Sequence, residues 1–299
     1  MKKINNYLSL IKFSHTIFAM PFALLGFFMG VFYLNNNGEK GWLAIKSYFN
    51  SNYSVFIFIL LCMVFARSAA MAFNRYLDRE FDAKNPRTAI REIPSGIISA
   101  GSALRFTLIN MILFCTSAYL INITCFLLSP IALIVILGYS YTKRFTALCH
   151  LVLGLGLSLA PTGAFIAVTE TMVPSVFFLS IAVIGWVAGF DIIYSLQDDQ
   201  FDASQGLFSI PSKLGRQKAL AVSRVLHFIT SLLVIVAGIQ FEFHFLYAIG
   251  ASLFIGLLIF QHSQVKVNDL SRVNLAFMTS NGIASIVFSI FAIVDLILF

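Results

Sequence analysis

Two stretches decide how this sequence folds: Asn74-Arg75-Tyr76-Leu77-Asp78-Arg79-Glu80-Phe81-Asp82, and Asp191-Ile192-Ile193-Tyr194-Ser195-Leu196-Gln197-Asp198-Asp199-Gln200-Phe201-Asp202. Each comes at the end of a long apolar run, 53–76 for the first and 173–197 for the second, of a length that crosses the hydrocarbon core of a bilayer. Of the 13 acidic residues in the chain, eight lie in or just after these stretches: Asp78, Glu80, Asp82, Glu92, Asp191, Asp198, Asp199 and Asp202. Carboxylates so concentrated beside a membrane require a counter-charge, and a divalent metal carrying a diphosphate supplies one.

The rest of the chain fits that setting. It is 59% hydrophobic and 11% charged, with a mean hydropathy of +0.88, whereas a soluble domain carries about a quarter charged residues. Apolar runs at 13–34, 53–76, 103–120, 122–141, 147–168, 173–197, 217–238, 243–261 and 276–298 predict nine spanning helices. The expectation is an all-α, multi-pass membrane bundle forming one domain over 1–299. No small-residue cleavage site follows the first run, so a retained helix is expected there and not a removed signal peptide.

An odd number of spans puts the termini on opposite sides, and the basic residues then sort: 17 lysines and arginines fall on one face, Lys40 and Lys46 on the other, and Arg67 inside a helix. The positive-inside rule makes the basic face cytoplasmic. Both acidic stretches lie on it, and the expected location is the cell (inner) membrane. An eight-helix reading would break this sorting. The net charge of +7 therefore reads as topology and not as nucleic-acid binding. Cys62, Cys115, Cys125 and Cys149 are scattered without C-x-x-C spacing, which points to neither zinc nor disulfides. A faint repeat joins the halves. Asp78 and Asp82 stand 120 residues before Asp198 and Asp202, and Ile93-Pro94-Ser95 stands 117 before Ile210-Pro211-Ser212. Two helical halves facing a central site are expected.

On a continuous helix Asn74, Asp78 and Asp82 fall within about 80° of one face, with Arg67 two turns earlier on the same side. Asp191 and Asp198, seven apart, would also share a face, with Asp202 a turn further on. Hard oxygens at this spacing suit Mg²⁺, which takes few protein ligands and completes its shell with water and phosphate oxygens. Such residues can also cap helix ends, a reading as good as function for Asp199 and Glu80 but poor for Asp191, which lies well inside an apolar run. Arg67, Arg87, Arg91, Lys143 and Arg144 supply cations for phosphate oxygens, although loop bases such as Lys143 and Arg144 also serve topology alone. His15, His150, His227, His244 and His262 lack metal-ligand spacing; His15 and His150 come nearest the acidic stretches. Gly154-Leu155-Gly156 lacks the strand of a nucleotide fingerprint and is expected to permit close helix packing. The 32 phenylalanines face lipid, pack, or line a path for an isoprenoid tail.

Asn74 to Asp82, continuing through Pro86-Arg87, Arg91 and Pro94-Ser95-Gly96, resembles the first aspartate-rich motif of the UbiA superfamily of intramembrane prenyltransferases. Asp191 to Asp202 resembles its second motif, Tyr141-Thr142-Lys143-Arg144 resembles the basic loop after its fourth helix, and the likeness includes the Lys12-Phe13-Ser14-His15-Thr16 opening. The nearest branch is that of the 4-hydroxybenzoate polyprenyltransferases, with relatives acting on a dihydroxynaphthoate. The resemblance implies Mg²⁺ held by Asn74, Asp78, Asp82, Asp198 and Asp202, gripping the diphosphate of a polyprenyl donor. It implies diphosphate contacts from Arg87, Arg91, Lys143 and Arg144, and catalytic parts for Asp191, Arg67, Lys143 and Arg144. The allylic cation formed would meet a small aromatic acceptor at a carbon ortho to its hydroxyl. Several relatives carry a lysine before the position of Ser209 where this chain has Gly206-Leu207-Phe208, so no phosphate contact is expected there. The implied partners are the two substrates and the lipid bilayer, with no obligate protein partner.

Three other readings compete. Prenyl transfer to haem or chlorophyllide would use the same donor motifs. A CDP-alcohol phosphotransferase would need a D-G pair followed by A-R, which the chain lacks. A cation-coupled transporter would place its charges near the midplane in broken helices, whereas most carboxylates here gather at helix ends.

Overall fold

The computed structural model describes residues 2–11, 18–35 and 41–299; Lys12, His15 and Lys40 lie outside them. The described helices are α1 (Lys2–Leu10), α2 (Met20–Tyr33), α3 (Trp42–Leu77), α4 (Arg79–Lys84), α5 (Ala100–Ile121), α6 (Ile123–Thr142), α7 (Cys149–Thr169), α8 (Pro174–Ser195), α9 (Asp199–Ser204), α10 (Ile210–Leu214), α11 (Arg216–Gln240), α12 (Phe245–Gln264) and α13 (Asn281–Leu298). Among the described residues, eight helical segments are long and apolar enough to cross a membrane: α3, α5, α6, α7, α8, α10 running into α11, α12, and Leu275–Leu298. The remaining predicted span corresponds to α2, whose 14 residues reach only about 21 Å. The expected all-α membrane bundle is therefore the fold.

Local chemistry sets the turns. Pro21 and Pro174 open α2 and α8 at positions where a missing N–H costs nothing. Asn122 alone joins α5 to α6, its side chain accepting the Cys125 N–H at 2.7 Å. Gly154 answers the packing expectation: a Cβ there would sit 2.5 Å from the Ile184 carbonyl oxygen on α8. Gly156 does not, its nearest such neighbour being Ile136 Cα at 3.9 Å. The central helix is α8, whose Trp186, Val187 and Ile193 are fully buried. Trp186 packs against Phe22, Phe190 and Phe254. Ser9 on α1 meets Glu92 beside the acidic stretches, while His244 stacks on Phe299 at the C-terminus, so the two chain ends lie at opposite ends of the bundle.

The segment between the first two apolar runs, 35–52, is long enough to hold structure, and its described part from Trp42 on is helical: α3 starts there and kinks at Asn52 (φ −130°, ψ 22°), with Phe27 packed against Tyr48, Phe49 and Phe56 on both sides of the kink. One expectation is corrected: neither acidic stretch is a continuous helix. α3 ends at Leu77 and α8 at Ser195, and each leads into a six-residue helix whose N-cap is Asp78 or Asp198. The argument placing Asp191 and Asp198 on one face therefore fails, but the repeat gains substance. Asp82 N–H donates to Asp78 O and Asp202 N–H to Asp198 O, both at 2.8 Å. The tripeptides do not repeat: Ile93-Pro94-Ser95 lies in turns, while Ile210-Pro211-Ser212 opens α10 behind a Ser209–Ser212 capping box.

The last predicted span is present and opens on a π-turn, Leu275–Ser280. Asn281 explains it. Its Nδ2 donates to the carbonyls of Ala276 and Phe277, both at 3.0 Å, and its Oδ1 accepts the Trp186 indole N–H at 2.9 Å. The extra turn carries Phe277 against Tyr194, ring centroids 4.2 Å apart. Asn281→Leu is expected to lower the thermal stability of detergent-solubilised protein by about 1–3 kcal/mol, by orphaning the buried indole N–H. An unchanged melting curve would remove Asn281 from this role.

Candidate active site

The break after α3 and the break after α8 bring the two acidic stretches to one end of the bundle, where every aspartate but Asp202 meets a base. Asp78, 2% exposed, accepts from Asn74 Nδ2 at 3.2 Å, with Lys143 Nζ at 3.1 Å and Arg144 Nη2 at 3.5 Å. Asp82 pairs with Arg91 at 2.6 Å. Asp198 receives Arg87 through both oxygens, with Nε at 2.9 Å. Arg87 also donates to Tyr194 Oη at 3.1 Å. Burial opposes the Arg87 charge, but the hydrogen bond to Asp198 outweighs it and raises the pKa above its usual value. Burial pushes the Asp202 carboxyl up to about 6, against the pull of nearby Lys143. Asp199 turns away from this group to a bidentate pair with Arg216, so its role is structural.

Below these charges lies a cavity of about 910 Å³. Its upper wall includes Arg67, Asn74, Arg87, Arg91 and Asp191, and its lower wall is apolar, with Ile59, Met63, Leu128, Leu157 and Ala164. Along α3 the lining runs from Asn74 to Ile59, about 22 Å of helix. Leu128 and Ile131 on α6 line it while 41% and 58% exposed, so the cavity opens sideways where lipid would lie. Asp191, about one turn before the end of α8, pairs with none of the arginines and lysines that hold the other aspartates. Its Oδ2 lies 2.7 Å from Nδ1 of His150 on α7. Arg67 and Arg75 make no hydrogen bond or ion pair among the described residues, and the Nε of each is buried without a partner.

No group of three or more His, Cys, Asp or Glu side chains forms a ready metal cage among the described residues. The donors nevertheless fit a hard cation that keeps water and phosphate oxygens in its shell. They are carboxylate and amide oxygens, and Asp82 Oδ2 is buried with no hydrogen-bond partner, an open ligand position.

The model of the UbiA prenyltransferase family matches residues 23–283. The chain belongs to the UbiA prenyltransferase family. It is similar to the 4-hydroxybenzoate octaprenyltransferases of Aliivibrio salmonicida (strain LFI1238), 29% identical over 79% of this chain and 83% of that protein, and of Nitrosomonas eutropha (strain DSM 101675 / C91 / Nm57), 30% identical over 79% and 82%. The apo structure of a UbiA homologue from Aeropyrum pernix K1 superposes with a TM-score of 0.80 at 30% identity, covering 94% of this chain and 98% of that one. A UbiA homologue from Archaeoglobus fulgidus bound to DMAPP and Mg²⁺ shares the fold, with a TM-score of 0.71 at 19% identity, over 98% and 100% of the two chains. This UbiA member is thus a membrane-embedded prenyltransferase, as its motifs implied.

Sequence reasoning brought together Asn74, Asp78, Asp82, Asp198, Asp202, Arg87, Arg91, Lys143 and Arg144, and the UbiA fold gathers them at one end. It missed Asn85, whose Nδ2 donates to Asp198 Oδ1 at 3.1 Å and whose Oδ1 accepts the Arg87 N–H at 3.0 Å. The Asn85-Pro86-Arg87 order is a local turn signal that could have found it. Arg75 and Tyr194 were missed as well. Nothing in their spacing distinguishes them from packing residues.

Proposed function

We propose that this prenyltransferase moves a polyprenyl group from its diphosphate onto the ring carbon ortho to the hydroxyl of 4-hydroxybenzoate, the acceptor in its relatives' names. The observation that carries the reading is a continuous cavity that joins a head of paired aspartates and bases to an apolar channel, with Arg67, unpaired among the described residues, between them. The chain acts as one domain over 1–299. Its acidic end faces the cytoplasm of the cell (inner) membrane by the placement of lysine and arginine.

Asn74, Asp78, Asp82, Asp198 and Asp202 would hold Mg²⁺, which when bound neutralises diphosphate oxygens as charge gathers on them. Arg87, Arg91, Lys143 and Arg144 exchange their aspartate partners for phosphate oxygens and stabilise the departing diphosphate. The prenyl tail lies along the apolar channel and leaves it beside α6. Arg67, about 10 Å deeper along α3 than Asn74, takes the acceptor carboxylate and sets the ring against the allylic carbon. The C–O bond of the donor breaks with its electron pair leaving on the diphosphate. A ring π pair forms the new C–C bond, and the proton lost from that carbon passes to Asp191.

The test incubates membranes holding the chain with a polyprenyl diphosphate, Mg²⁺ and either 4-hydroxybenzoate or a dihydroxynaphthoate. Prenylated 4-hydroxybenzoate is the expected product. Product on the dihydroxynaphthoate alone would overturn the acceptor and place the chain in menaquinone synthesis, while absence of any product from active, folded protein would overturn the whole reading.

A further inference from the structure

His150 sits at the start of α7, 2% exposed, where a polar ring needs both nitrogens satisfied. Both are. The Ile210 N–H points at Nε2 at 3.3 Å, and Nδ1 faces Asp191 Oδ2 at 2.7 Å. A backbone N–H can only donate, so Nε2 must keep its lone pair, and the ring proton sits on Nδ1 and points at Asp191. The donor Ile210 is itself fixed. It is the first residue of α10, behind the reciprocal Ser209–Ser212 cap, and Phe208 is tied to the Lys143 carbonyl at 2.7 Å.

We infer that His150 is a positioning residue for Asp191: its tautomer, locked by the Ile210 N–H, holds Asp191 Oδ2 and leaves Oδ1 as the proton-accepting oxygen in the cavity. Asp191 accepts no other hydrogen bond among the described residues. The neighbouring aspartates are different, since Asp78, Asp82 and Asp198 are each engaged by arginine or lysine. A permanently charged guanidinium would hold a carboxylate firmly anionic and weaken it as a base. An imidazole N–H orients the carboxylate without adding a fixed charge. The arrangement also links the loop after α9, through His150, to the residue that receives the acceptor's proton. The inference rests on the role given above to Asp191.

Two near-isosteric substitutions separate the arms of the ring. His150→Asn can place an amide N–H at the Nδ1 position and restore the donor to Asp191. His150→Gln reaches the Nε2 position and can accept from Ile210, but does not replace Nδ1. His150→Leu removes both. In purified protein with matched melting curves, Leu and Gln are expected to lower kcat by roughly 10- to 100-fold, part of the ~10²- to 10⁴-fold that general acid–base catalysis contributes. The donor KM should not change, and Asn should recover most of the loss. Recovery by Gln but not Asn would show that the ring serves only the α10 loop, and wild-type kcat in the Leu variant would equally overturn the inference. Asp191→Asn is the control that separates the two claims. Unimpaired turnover there would overturn the reading of Asp191, whereas a dead Asp191 variant beside an active His150→Leu would overturn only the part given to His150.

Discussion

Asp78→Ala and Asp198→Ala are expected to abolish prenyl transfer, by at least about 10³-fold, while leaving folded protein in the membrane. The size follows from what each residue touches. Asp78 meets Asn74, Lys143 and Arg144 together, and Asp198 meets Asn85 and Arg87. Each aspartate is therefore both a metal ligand in the proposed mechanism and the partner of the bases that take the diphosphate. The two variants should not simply lose the donor. Removing Asp198 frees Arg87, and removing Asp78 frees Lys143 and Arg144, so the head site becomes more positive and its affinity for a bare diphosphate should hold or rise. Turnover and donor binding then move apart: product formation collapses and diphosphate competition does not. Retained turnover in either purified variant would sink the metal assignment. A matched loss of diphosphate binding measured without Mg²⁺ would show that the aspartates shape the head site and do not act through the metal.

How much of this was legible in the sequence depends on which kind of signal each residue carries. Spans of apolar length and the sorting of lysine and arginine are one-dimensional signals, and the helices they predicted are present. The aspartates were legible because they recur at a fixed offset of four. The reason offered for that offset was only half right. A continuous helix was expected, but the chain breaks at Asp78 and Asp198 and starts a new short helix at each, which keeps the i to i+4 relation and discards the longer one from Asp191. The pairing of His150 with Asp191 spans 41 positions and that of Arg87 with Asp198 spans 111. Such contacts depend on how α7, α8 and the loop after α4 pack, and no local spacing encodes them. The π-turn at 275–280 was hidden for a related reason: Asn281 reads as one polar residue in an apolar run until Trp186 is seen to point at it.

Arg67→Leu is expected to cost roughly 30- to 4,000-fold in kcat/KM for 4-hydroxybenzoate, the equivalent of about 2–5 kcal/mol for removing one partner of a buried charge pair. It should do so without destabilising the protein. Arg67 lies within α3 with neither an ion pair nor a hydrogen bond among the described residues, and its Nε is sealed from solvent. An arginine in that position works against the fold, because desolvation of its charge is not offset by an ion pair or hydrogen bond among the described residues. Replacing it with the shorter, apolar leucine should therefore leave the melting temperature unchanged or raise it. The anion that offsets the cost must come from outside. Asp78, Asp82 and Asp198 already have their own bases, and Asp202 belongs to the head group of aspartates about Asp198, so the carboxylate of the acceptor is the charge proposed to fill the site. That assignment makes a selective forecast. Phenol, which lacks the carboxylate, should react equally slowly with wild type and variant, and release of diphosphate from the donor without acceptor should be the same in both. A loss that is equal for phenol and 4-hydroxybenzoate would mean that Arg67 acts on the donor or on the cavity's shape. A large drop in melting temperature would mean that its charge is paired within the fold after all.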